Sequence, residues 1–130
     1  MKIIINTCYG GYGLSKEAIL RYAKLKGMTL YTEDSLSVTH YYTVPVEEYH
    51  AISAEAKIRR EYTKVNGVYF HDRDIERTDP ILVQVVEELG KNANGTYSDL
   101  QIIDIPDNVK YFIDDYDGRE TVREEHRSWS

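Results

Sequence analysis

Three arginines, Arg119, Arg123 and Arg127, recur at intervals of four residues late in the sequence. If that segment is helical, their guanidinium groups share one face. Such a face offers phosphate oxygens planar paired donors and offers a nucleobase a flat cation to stack on, two things lysine does poorly. The same arginines also suit a solvated helix end, where Glu120, Glu124 and Glu125 neutralise them and the cations oppose the helix dipole.

A second candidate is the loop Cys8-Tyr9-Gly10-Gly11-Tyr12-Gly13-Leu14-Ser15. Its glycines would let backbone N–H groups approach a phosphate at the N-terminus of the next helix. It matches neither the dinucleotide fingerprint nor the phosphate loop with its Lys-Ser/Thr ending, and a tight strand-to-helix turn needing positive φ is the better account of the glycines. Cys8 lies where a helix N-terminus would lower a thiol pKa, but it also suits a small buried position.

Carboxylates supply a rival chemistry. His71-Asp72-Arg73-Asp74 and Asp114-Asp115-Tyr116-Asp117 hold enough oxygen and imidazole ligands for a hydrolytic metal site, if folding unites them. Caps and Asx turns account for carboxylates at such positions as well. His40, His50, His71 and His126 form no helical ligand pair, and no Ser-His-Asp or Cys-His order emerges. Twelve tyrosines against two phenylalanines imply an amphipathic aromatic surface, suited to stacking or to subunit contacts.

The elements that must position these groups follow from periodicity and caps. Lys2 to Asn6 reads as a central strand through Ile3, Ile4 and Ile5, and Ser15 caps a helix that runs to Lys26 and stops at Gly27. Met28 to Thr32 and Val38 to Thr43 read as strands, and Pro45 opens a helix to about Ile58–Tyr62. Asn66-Gly67, between Tyr62–Val65 and Val68–Phe70, signals a hairpin. Thr78-Asp79-Pro80 starts a helix whose stripe of Leu82, Val83, Val85, Val86 and Leu89 ends at Gly90. Leu100 to Ile105 is a strand, Val109, Tyr111 and Ile113 alternate in another, Asp117-Gly118 turns, and Arg119 to Arg127 reads as a short charged helix ending near Trp129.

A length of 130 residues predicts one domain, 1–130, that buries a core without staples. Cys8 is the only cysteine, so no intrachain disulfide can form, and a reducing, cytoplasmic setting fits. The first apolar run is too short for a signal core or a membrane span. A net charge of -6 disfavours DNA and RNA as partners. A local arginine cluster still acts within a Debye length of ~8 Å, so a small anionic ligand is compatible. The expected fold is α/β (α+β): a single compact domain, a mixed or antiparallel sheet with helices packed on it, and an obligate homo-oligomer with a tyrosine-rich contact surface.

The order Ile5-Asn6-Thr7-Cys8-Tyr9-Gly10-Gly11, Glu76-Arg77-Thr78-Asp79-Pro80, Ile105-Pro106-Asp107, Tyr116-Asp117-Gly118 and His126-Arg127 resembles the phage Thoeris anti-defence sponges over nearly the whole chain. The resemblance implies a non-catalytic protein that sequesters cyclic ADP-ribose-type immune signals at a homodimer interface, needs no cofactor and blocks bacterial anti-phage defence. Some members of that family assemble into hexamers and also hold cyclic oligonucleotides. Carried onto this sequence, it implies Tyr97, Asn108, Asp117, Arg123 and Arg127 as ligand contacts, with Arg73 or Arg77 as a further phosphate contact. Two other readings stand beside it: a metal-dependent nucleotide phosphohydrolase using Asp72, Asp74, Asp114 and Asp115, and a protein-binding inhibitor of a host factor.

Overall fold

The computed structural model describes residues 1–125. Strand β1 (Lys2–Asn6) pairs antiparallel with β5 (Leu100–Asp104), placing Ile3 opposite Ile103 and Ile4 opposite Ile102. Helix α1 (Lys16–Lys26) begins as expected at Ser15, whose hydroxyl accepts from the Ala18 N–H, and ends at Gly27 with φ 73°. Helix α4 (Pro80–Leu89) begins at Asp79, whose carboxylate accepts from the Ile81 N–H, with proline in its first turn. α1 packs on α4, and α4 packs on β1 and β5. Ile4, Leu14, Ile19, Tyr22, Leu82, Val85 and Leu100 form the continuous core between them.

Strands β2 (Tyr31–Ser35), β3 (Val38–Tyr42) and β4 (Tyr69–Phe70) form a second antiparallel sheet in the order β2-β3-β4. The β2–β3 hairpin turns through Leu36 at φ 50° and Ser37 at φ 66° without a glycine. Helix α2 (Val46–Arg59) follows, as Pro45 indicates. Helix α3 (Thr63–Val68) then replaces the hairpin expected at Asn66-Gly67, because Tyr69 and Phe70 pair with Tyr42 and Tyr41 of β3 rather than with the preceding segment.

The third sheet is the hairpin β6 (Tyr111–Tyr116) and β7 (Arg119–Glu124), joined by Asp117 at φ 50° and Gly118 at φ 89°. The charged helix expected from Arg119 is therefore a strand as far as Glu124, and Arg127 and His126 lie outside the described residues. The fold is α+β, with three small antiparallel sheets and four α-helices among the described residues, in place of one larger sheet. Among those residues no helix is long and apolar enough to cross a membrane.

The edge of β1 away from β5 is closed without a strand. The Ile4 N–H donates to the Arg77 carbonyl (2.9 Å), the Arg77 guanidinium donates to the Ile4 carbonyl (3.2 Å), and the Asn6 N–H donates to Glu120 (2.9 Å). A buried edge would otherwise leave its backbone groups unpaired.

Candidate functional site

Cross-strand pairing fixes what the β6–β7 hairpin presents. Phe112 faces Arg123, Asp114 faces Thr121 and Tyr116 faces Arg119, so these six side chains share one face. The opposite face carries Glu120, buried at 5 % exposure, and the half-buried Ile113 and Val122. On the outer face Tyr116 is 72 % exposed and Phe112 48 %, and the Arg123 guanidinium donates to Asp114 at 2.6 Å. The spacing of Arg119 and Arg123 still puts them on one face, because four residues is an even step along a strand.

The glycine loop abuts the turn end of this hairpin. A Cβ on Gly118 would lie 2.5 Å from the Gly11 nitrogen and 2.7 Å from the Tyr9 carbonyl oxygen; one on Gly10 would lie 2.4 Å from the Tyr97 Cβ. Asn6, fully buried, secures the junction: its amide donates to the carbonyls of Cys8 (2.7 Å) and Gly118 (2.6 Å), and its oxygen accepts from the N–H groups of Cys8 and Asp99. All four bonding sites of the carboxamide are used. Of the loop glycines, Gly10 serves close approach to Tyr97 and Gly11 supplies the positive φ (97°), while a Cβ on Gly13 would meet only Asp72, at 3.9 Å. The Leu14 N–H is taken by the Asp72 carboxylate at 3.0 Å. Cys8 is exposed, not the small buried residue its surroundings suggested.

This junction gathers rings and a cation at the surface. The Arg119 guanidinium lies 5.7 Å from the centre of the Tyr9 ring, with Nη1 3.5 Å from its hydroxyl, and Tyr9 and Tyr97 are 59 % and 72 % exposed. A guanidinium beside an exposed ring is a platform for a planar anionic ligand.

Among the residues implied by the resemblance, Tyr97 and Asp117 flank the glycine loop, and Arg123 stands further along the hairpin's outer face. Asn108 is exposed in the turn before β6, at the opposite end of the hairpin from Asp117. Arg73 is exposed on the 3-10 turn Asp72–Asp74. Arg77 is committed inside the protein: it donates to both oxygens of Glu120 (2.6 and 2.9 Å), and its guanidinium lies 3.4 Å from the centre of the Tyr12 ring. The chain therefore sets Tyr97 and the Asp117-Gly118 turn against the same loop, and Asn108 and the committed Arg77 elsewhere.

Three of the four carboxylates of the hydrolytic reading have separate duties. Asp72 holds the Leu14 N–H, Asp114 pairs with Arg123, and Asp115 accepts from the Gly118 N–H at 2.9 Å from the other side of β6. No three His, Cys, Asp or Glu side chains among the described residues converge as a metal-binding group.

Sequence reasoning missed Tyr9, Phe112 and Tyr116 as partners of the arginines; the alternation of 112, 114 and 116 was the available signal. It also missed an aromatic cluster between α2 and the second sheet. Tyr42 stacks on Tyr49 at 3.8 Å, His40 Nδ1 lies 2.7 Å from the Tyr69 hydroxyl, and Glu33 accepts from the Tyr42 hydroxyl and bonds His50, each at 2.8 Å. The His50 imidazole and the Tyr42 hydroxyl hold the Glu33 carboxyl below its ordinary pKa. No family model, curated protein or solved structure matches the chain.

Proposed function

We propose that this protein binds and sequesters a small anionic nucleotide, of the cyclic ADP-ribose type, without altering it, and that it thereby blocks bacterial anti-phage defence. The observation that carries the reading is the outer face of the β6–β7 hairpin with the adjoining glycine loop, where Arg119 lies beside the Tyr9 ring and Tyr97, Phe112, Tyr116 and Arg123 stand exposed. Rings stack on a base and guanidinium groups hold a pyrophosphate, and both act on the ground state with no group required to activate a nucleophile. Because the face is open on one protomer, enclosure of a ligand calls for a second copy of the chain.

Incubation with cyclic ADP-ribose isomers, followed by denaturation and analysis of the released small molecule, tests the reading. Intact ligand recovered in proportion to protein supports it. Altered product sinks it in favour of an enzyme, and an absence of nucleotide binding favours an inhibitor that works through protein contacts. Light scattering at micromolar concentration is expected to show at least a dimer; a strict monomer removes the enclosed two-chain site.

A further inference from the structure

A groove of about 660 Å³ separates the N-terminus of α1 from the second sheet, and no residue of the β6–β7 hairpin lines it. This volume is within the ~300–1,000 Å³ usual for small-molecule sites. Ser15 and Lys16 stand at one end, Tyr41 and Phe70, which share a face of the sheet, form a wall, and Asp72 borders it. The groups on its surface are unevenly satisfied.

Tyr41 is only 8 % exposed, yet its hydroxyl makes no hydrogen bond to any described residue and the ring lines the groove. Its acidity reflects that position: burial first, then the negative charges of Asp72 and Asp34, pushes its pKa up to about 12, so it stays a neutral donor. Asp72 spends one oxygen on the Leu14 N–H, and its other oxygen has no partner among the described residues. At the other end, the Ser15 hydroxyl serves the Ala18 N–H, which leaves the first two amides of the eleven-residue α1, those of Lys16 and Glu17, unbonded among the described residues. The Lys16 ammonium is exposed and has no ion pair among them.

We propose that this groove is a ligand site for a nucleoside monophosphate, its phosphate at the N-terminus of α1 with Lys16 and its base directed to Asp72 and Tyr41. The helix end and Lys16 select the anion. A carboxylate accepts only, so the free oxygen of Asp72 selects a base edge rich in N–H donors, as guanine has. The Tyr41 hydroxyl supplies a donor for a ring acceptor, and Ile19 and Phe70, which also line the groove, provide the apolar flank. This site is separate from the hairpin face and does not depend on the function proposed there.

Calorimetric titration of the full chain with guanosine 5′-monophosphate, adenosine 5′-monophosphate, guanosine and inorganic phosphate tests it. The guanine nucleotide is expected to bind at least tenfold more tightly than any of the other three. Lys16→Ala and Tyr41→Phe are each expected to weaken it at least fivefold, with thermal midpoints confirming that both variants fold. Asp72→Asn keeps an acceptor for the Leu14 N–H and is expected to erase the preference for guanine over adenine. Equal binding of guanosine, no binding at all, or unchanged affinity in both Lys16→Ala and Tyr41→Phe overturns the proposal. Arg119→Ala and Tyr97→Ala are expected to leave this binding intact; loss there with retention in Lys16→Ala also overturns it and assigns the nucleotide to the hairpin face instead.

Discussion

Arg77 and Glu120, 43 residues apart, meet through two hydrogen bonds of 2.6 and 2.9 Å under the Tyr12 ring, and the pair closes the free edge of β1. Glu120 also accepts the Asn6 N–H, so this ion pair fastens the β6–β7 hairpin to the core. With 5 % of the Glu120 side chain exposed and 19 % of Arg77, neither is a surface charge. Removing one partner of a buried pair strands the other, at a cost of roughly 3–5 kcal/mol.

Arg77→Met is accordingly expected to destabilise the fold by about 3 kcal/mol, near the lower end of that range because Arg77 keeps some contact with water. Adding Glu120→Gln should recover more than half, since the carboxamide still accepts from Asn6 but buries no charge. Urea unfolding of both variants is the measurement. A shift under about 0.5 kcal/mol for the single variant would mean the pair is worth no more than an exposed one.

The two glycines that sequence signals placed in turns should respond oppositely. Gly67 sits inside α3 with open space around a hypothetical Cβ, so Gly67→Ala is expected to stabilise by ~0.5–1 kcal/mol through helix propensity. Gly118 has φ 89° and backbone atoms of Tyr9 and Gly11 within 2.8 Å of its hypothetical Cβ, so Gly118→Ala should destabilise by more than the ~1–2 kcal/mol of a left-handed residue alone. Thermal unfolding separates the two, and destabilisation by Gly67→Ala would restore the hairpin reading of Asn66-Gly67.

Local signals were legible where they were self-sufficient. Ser15 with Gly27, Asp79 with Pro80, and Asp117 with Gly118 each satisfy their own backbone within a few residues, and each marks the boundary it was expected to mark. Asn66-Gly67 failed because the decisive partner of Tyr69 and Phe70 is β3, more than 25 residues earlier in the chain by the Tyr42–Tyr69 register. The tail was misread for a different reason: a spacing of four residues aligns side chains on a strand as well as on a helix, so Arg119 and Arg123 share a face under either assignment. Half of the candidate site was legible in this way. Tyr9 and Tyr97 reach it only through the packing of Gly10, Gly11 and Gly118, which no sequence period encodes.

Acid sensitivity should report on the start of α4. Burial raises the Asp79 carboxyl pKa, but hydrogen bonds from the Tyr22 hydroxyl, the Ile81 N–H and Lys26 outweigh it and hold the folded value below 3.8. A carboxyl depressed in the folded state is protonated first in the unfolded chain, so its contribution is complete above pH 3.8 or so and fades as pH falls through the folded value. Asp79→Asn keeps a capping side chain and removes the titration. Its stability should fall less steeply than the parent's between pH 5 and pH 2, judged by urea midpoints across that range; parallel curves would show that Asp79 carries none of the acid response.

Ligand binding at the hairpin face turns on Arg119 and Arg123. Charge-assisted hydrogen bonds to phosphate are worth ~1.5–3 kcal/mol each, and ~1.4 kcal/mol is a factor of ten in affinity. Arg119→Ala and Arg123→Ala are each expected to weaken binding of the cyclic nucleotide about tenfold or more. Lysine at either position returns the charge without the planar donor pair or the stacking surface, so rescue should be partial. The opposing forecast is definite. Arg123 already pairs with Asp114 at 2.6 Å, with 60 % and 44 % of the two side chains exposed, and such a pair contributes only ~0–1 kcal/mol to stability. Arg123→Ala distinguishes the alternatives: an arginine that serves the ligand loses affinity there and gains or keeps it when freed in Asp114→Asn, whereas an arginine that serves only the hairpin gives wild-type affinity in both variants. Calorimetric titration of the folded variants with the same nucleotide decides between them, and wild-type affinity in both alanine variants removes the hairpin face as the site.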